Sequence, residues 1–198
     1  MYETVDLSKG EHHPRYTVRK LSHTVPVGEF VAECVDIPKF EALCRECGSY
    51  GNRWACPPFP FSPLELWNRY ALFQILAWKV ILELGQTPED AVAALEIEKQ
   101  AFLTEVLQME REIPGSMAIS AGTCTYCGQT CARSLGKPCL HPEQLRYSVE
   151  ALGGNVTRAA ELYLNTAILW IRNDAAPAYL MIVGGLLLPE GAKPAENP

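Results

Sequence analysis

Two pairs of cysteines stand at C-x2-C spacing, Cys44 with Cys47 and Cys124 with Cys127, and each pair has further cysteines close by in the chain. The first neighbourhood, CRECGSYGNRWACPP, adds Cys56. The second, CTYCGQTCARSLGKPC, adds Cys131 and Cys139, so four cysteines fall within sixteen residues. Cysteines two residues apart can turn both sulfurs toward one point, because the peptide between them folds as a tight turn whose amides donate to the thiolates. Zinc sites and iron–sulfur centres are built in this way. A chain of 198 residues, 48% hydrophobic, buries on the order of 70% of its unfolded surface without cross-links. The cysteines therefore need a chemical explanation, and two such pairs with neighbours point to metal rather than to redox thiols or buried hydrophobes.

Spacing bears on which metal. The second set, Cys124, Cys127, Cys131 and Cys139, runs C-x2-C-x3-C-x7-C. That compactness is closer to an iron–sulfur loop than to the separated knuckles of a zinc ribbon. Cys56 is followed by Pro57, a recurrent neighbour of ferredoxin ligands, and Tyr50, Trp54, Phe59 and Phe61 surround it in sequence. These aromatics read either as an apolar shield over a cluster or as ordinary core under a loop. In the first set, Cys44, Cys47 and Cys56 are the metal candidates, and Cys34 is an optional fourth. Cys34 lies at an apolar position of an expected helix, where a cysteine is more often a small hydrophobe. Three ligands alone leave a position open to substrate or to another donor. His12, His13, His23 and His141 are the alternatives, and His141 is the best placed of them.

Charge and hydropathy narrow the function. A net charge of -6 and the absence of clustered Lys or Arg exclude a nucleic-acid partner. Arg133, Lys137 and Arg146 form only a local basic group beside the second set. The start, MYETVDLSKGEHHPRY, carries no secretory pattern, so a cytoplasmic location with reduced thiols is expected. The apolar runs are too short or too interrupted for a membrane span.

The expected architecture is α/β, with α+β as the variant: one domain over residues 1–190 and a flexible tail at 191–198. A small mixed sheet of about four to five strands is flanked by helices and carries two cysteine-rich metal-binding loops. Strands are expected at Arg15–Val25, Tyr70–Leu84 and Ser116–Ala121, and a hairpin of Ala167–Ile171 with Tyr179–Leu188 turns at Asn173–Pro177. Helices are expected over Val27–Cys47, broken near Pro38, and at Ser62–Asn68 and Pro142–Leu152. Asn155 or Thr157 opens another, and a long helix is capped by Thr87 and opened by Pro88. Its buried stripe reads as Val92, Leu95, Phe102, Val106 and Met109. Glu96, Glu98, Glu105 and Glu110 read as its solvated side.

The stretches YGNRWACPPFPF, SAGTCTYC, GKPCLHPEQLRYSVEALGGNV and PAYLMIVGGLLL, in that order and over nearly the whole chain, resemble the bacterial and archaeal family of predicted metal-binding proteins, domain of unknown function 2284. The resemblance implies a cysteine-rich metal-binding protein, iron–sulfur in kind, of unsettled biochemical role. It also implies Cys44, Cys47, Cys56, Cys124, Cys127, Cys131 and Cys139 as ligands. Cys34 is not part of the family pattern, and three residues separate Cys127 from Cys131 where the family has two.

Three functional classes follow. One or two [4Fe-4S] clusters would make the chain an electron-transfer protein, its acidic surface docking on a protein redox partner. Zinc would instead make it a metal-stapled interaction module without redox chemistry. An iron–sulfur enzyme with an open metal position needs a substrate and an acid or base. The sequence offers no Ser-His-Asp set, phosphate loop or dinucleotide fingerprint, which leans away from an enzyme.

Overall fold

The structure, a computed structural model, describes residues 14–172 and 175–195. The strands are β1 (Tyr16–Pro26), β2 (Leu72–Leu82), β3 (Met117–Ile119) and β4 (Tyr179–Leu188). The α-helices are α1 (Val27–Cys34), α2 (Ile37–Arg45), α3 (Pro63–Trp67), α4 (Pro88–Glu112) and α5 (Val156–Leu164). The sheet has the order β1-β2-β4-β3. Every strand pair is antiparallel, where a mixed sheet was expected.

β2 explains why the molecule has three layers. Its residues alternate between two buried faces: Phe73, Ile75 and Ala77 join one apolar cluster, and Leu76, Trp78, Val80 and Leu82 the other. A strand buried on both sides reads as a continuous apolar run, which is how LFQILAWKVIL reads. α1, α3 and α5 contribute Phe30, Trp67 and Ala159 to the first face, while α4 covers the second with Phe102 and Val106. At Gly184 in β4 a side chain would run into Ile119 O and the Phe102 ring, so glycine there lets α4 close on the sheet.

The helix starts follow from capping chemistry. Asp36, Ser62, Thr87 and Asn155 each accept a first-turn amide, and Thr87 and Asp90 form a reciprocal capping box. Pro38 opens α2 rather than merely breaking the run. In α4 the buried stripe runs through Ala91, Ala94, Phe102, Val106 and Met109, and Val92 is exposed. Small alanines, not the bulkier Val92, face the sheet at the start of that helix.

Two expected elements are absent, both for reasons of pairing. Ala167–Ile171 is not a strand: β4 pairs with β2 along its length and with β3 at Gly185–Leu187, and no ladder joins it to this segment. The segment touches that region through Tyr179 Oη, which donates to Ala167 O at 2.8 Å. Pro142–Leu152 is not a helix. Tyr147 O accepts the Ser120 amide at 2.9 Å, Ser148 bridges Ser120 in parallel, and Arg146 O accepts the Ser120 hydroxyl. Those carbonyls are spent across the chain instead of on an i+4 amide. At the other end, the Gln74 side-chain amide donates to Ala195 O and accepts from Ala195 N, which holds a segment that shows no apolar anchor in sequence. Among the described residues no helix is long and apolar enough to cross a membrane.

Candidate metal centre

The first cysteine loop hangs from the end of α2. Cys44 sits in its last turn, and Cys47 N donates back to Cys44 O at 3.0 Å, the turn that a C-x2-C pair demands. The chain turns again at Tyr50 and Asn52 and brings Cys56 round, with Cys56 N donating to Arg53 O at 3.1 Å. Cys44, Cys47 and Cys56 come near enough for their charges to act on one another. The Cys44 thiol is pushed up by burial first, then by Cys56 and Cys47. Burial also raises Cys56, while a hydrogen bond with Thr123 opposes it.

β3 delivers the second loop. Cys124, Cys127, Cys131 and Cys139 line one small cavity together with Tyr126, His141 and Leu145. The Tyr126 amide donates to Cys124 sulfur, which partly offsets the rise that burial imposes. Gly128, at φ +61°, closes the turn by donating to Thr125 O at 2.9 Å. A short 3-10 helix, Ala132–Leu135, separates Cys131 from Cys139.

The two loops are interlocked. Arg53 of the first donates to Cys124 O, Gly128 O and Gln129 O of the second, at 2.9–3.3 Å. Arg133 of the second donates to Arg53 O, Cys56 O and Pro58 O of the first, at 2.6–2.9 Å. Trp54 lies under the Arg133 guanidinium and donates Nε1–H to Lys137 O at 3.0 Å. A planar five-donor group suits this task, because it can satisfy several loop carbonyls at fixed angles. Thr123 Oγ1 lies 3.6 Å from Cys56 Sγ and 3.4 Å from Ser49 Oγ, a further tie between the loops.

Several sequence expectations change here. Trp54, expected over the first set, lines the cavity of the second. Phe59 and Phe61 stack on each other and pack on Tyr147. Cys34 is 3% exposed in the apolar core, with Arg158 and Glu33 as its charged neighbours and no loop cysteine among them. His23 stacks on Tyr163, and His141 reaches the second cavity. His12 and His13 lie outside the described residues. Two of the glutamates assigned to the solvated side of α4 are structural. Glu98 is 8% exposed and accepts Tyr16 Oη–H at 2.8 Å. Glu110 accepts the Ala118 amide and pairs with Arg146, which pins both ends of the second loop to α4.

All eight cysteines are free thiols. Among the described residues, no three His, Cys, Asp or Glu side chains close on one point as a single ion requires. The four thiols of the second loop share one cavity, and the three of the first loop lie in the adjoining loop. The Arg53–Arg133 clasp joining them was missed in sequence. Its only signal there is a basic residue inside each cysteine run.

This chain belongs to the predicted metal-binding protein family DUF2284, whose model matches residues 31–188. That span contains every cysteine and excludes the whole of β1 and the first half of α1. No curated protein and no solved structure matches the chain.

Proposed function

We propose that the two loops carry [4Fe-4S] clusters and that the protein passes single electrons to a protein partner. The observation that carries this reading is that four thiols, Cys124, Cys127, Cys131 and Cys139, line one small cavity together. The donor set is chemically suited to iron, being all thiol and flanked by amides. The cavity holds about 10 Å³ between the thiols, so loading parts the loop's turns rather than filling a ready space.

When bound, such a cluster supplies one-electron redox chemistry. The chain's own residues do the rest. The Tyr126 amide donates to Cys124 sulfur and stabilises added negative charge there. Trp54, Tyr126 and Leu145 limit water around the second set. The Arg53 and Arg133 guanidiniums, drawn between the loops, place positive charge beside both groups. The net charge of -6 favours a basic partner surface. The reading belongs in a reducing, cytoplasmic setting, where free thiols persist.

The experiment is anaerobic purification with iron, sulfide and zinc analysis. The expected material is brown, contains iron and acid-labile sulfide in near-equal amounts, and bleaches with dithionite. Colourless protein, stoichiometric in zinc and inert to dithionite, overturns the redox reading and leaves the zinc-stapled interaction module.

A further inference from the structure

The two cysteine groups meet at one side chain. Thr123 Oγ1 of the second loop lies 3.6 Å from Cys56 Sγ of the first, and Thr123 is joined by its own peptide bond to Cys124. One residue therefore touches a sulfur of the first set and is the covalent neighbour of a cysteine of the second. Chain geometry bounds the gap. Consecutive Cα atoms stand about 3.8 Å apart, so the Cys56 and Cys124 sulfurs lie no more than about 13 Å apart whatever their rotamers.

The same two cysteines are where the clasp closes. Arg133 donates to Cys56 O at 2.6 Å and Arg53 to Cys124 O at 2.9 Å, so each is fixed by a guanidinium from the opposite loop. Two positive charges thus lie along the seam where two sets of thiolates would otherwise repel. Thr123 Oγ1 is also 3.4 Å from Ser49 Oγ, and hydroxyl protons rotate to suit their acceptors. A metal-bound thiolate can only accept. With Ser49 donating to Thr123, the Thr123 proton is left for the Cys56 sulfur.

We infer that Cys56, Thr123 and Cys124 form the junction through which the two centres exchange electrons, and that the Thr123 hydroxyl, donating to the Cys56 thiolate, raises the reduction potential of the first centre. This rests on the cluster reading above and deepens it. In the exchange one centre loses a single electron and the other gains it, and no bond to the protein forms or breaks. A hydrogen bond to a ligand sulfur favours the reduced, more negative state, which is why the donor raises the potential. A residue of the second loop thereby sets the poise of the first.

The test uses anaerobically reconstituted wild type, Thr123→Val and Thr123→Ser, read by iron content and by redox titration followed with electron paramagnetic resonance. Cys127→Ser, lacking the second centre, identifies the signal of the first. Thr123→Val should keep its iron and shift the first centre to lower potential with the second unmoved, while Thr123→Ser should restore the wild-type value. A merely structural tie would alter stability and leave both potentials unchanged, and that result overturns the inference while the cluster reading stands. Fully reduced wild type should also show a magnetic interaction between two spins that is absent in Cys127→Ser. Two non-interacting spins, or iron at one loop only, overturn the junction, and this readout decides should Thr123→Val not fold. Wild type without iron removes the cluster reading and this inference with it.

Discussion

The two cysteine loops differ in what holds them. The first is an extension of α2, with Cys44 inside the last helical turn and the Pro57–Pro58 corner returning the chain to α3. The second leaves a three-residue strand, and between Cys124 and Cys131 it has only turns. Its order comes from outside: from Arg53, from the Trp54 bond to Lys137 O, and from the Glu110–Arg146 pair where the loop rejoins the body. A loop with little structure of its own can carry the larger set of cysteines because its neighbour templates it. One consequence is directional. Damage to the first loop should reach the second, whereas loss of a second-loop thiol should leave the first in place.

The largest effect tests that asymmetry. Cys127→Ser should abolish metal at the second centre and leave the first loaded. Cys47→Ser should abolish the first and also reduce loading of the second, since the loop that presents Arg53 loses its own order. Metal content and Mössbauer spectra of both variants check this. Equal, independent losses would break the comparison and make the loops two autonomous sites.

Next in size is the clasp. Arg133→Ala removes three charge-assisted bonds to first-loop carbonyls and the cation that lies over Trp54. Discounted for partial exposure, the loss should be about 2–4 kcal/mol, visible as a midpoint several degrees lower in metal-free protein. Arg133→Lys should rescue little, because an ammonium is a point donor and cannot span Arg53 O, Cys56 O and Pro58 O together. Full rescue by lysine would reduce the clasp to simple charge.

How much of this was legible in the sequence divides along the same line. Elements whose apolar residues repeat at a fixed period were readable: β1, β2, α1, α2, α3 and α5 stand close to where patterning puts them, and the caps Thr87 and Asn155 were legible too. The family resemblance, too, rested on motifs that the family model matches. What was not readable depends on distant partners. Pro142–Leu152 has helical composition, yet Ser120 claims its carbonyls. Ala167–Ile171 has strand composition yet pairs with no strand of the sheet. Glu98 and Glu110 sit among surface-like charges, and only the arrival of Tyr16 and Arg146 from elsewhere makes them interior. The cysteines were conspicuous as candidate ligands, but the chain alone could not say that Trp54 faces the other loop.

The smallest expected effect concerns the cysteine outside both loops, and it sharpens the comparison by providing a control. Cys34 is an apolar-core residue, so Cys34→Ala should leave metal content unchanged. Its thiol should instead report through stability. Burial, with Glu33 adding to it and Arg158 opposing, raises Cys34 from 9.0 to about 11. A raised acid favours the protonated thiol in the fold. Its contribution is therefore complete below the unfolded value near 9 and is lost as pH rises toward 11. Both proteins share every other titrating group, including Tyr16 and Tyr163, so their difference isolates Cys34. The urea-midpoint advantage of wild type over Cys34→Ala should be constant from neutral pH to about 9 and shrink steadily above it. An advantage independent of pH would mean that the thiol is not held protonated by its surroundings. Metal loss in Cys34→Ala would move this cysteine into the ligand set and leave seven loop thiols an incomplete count.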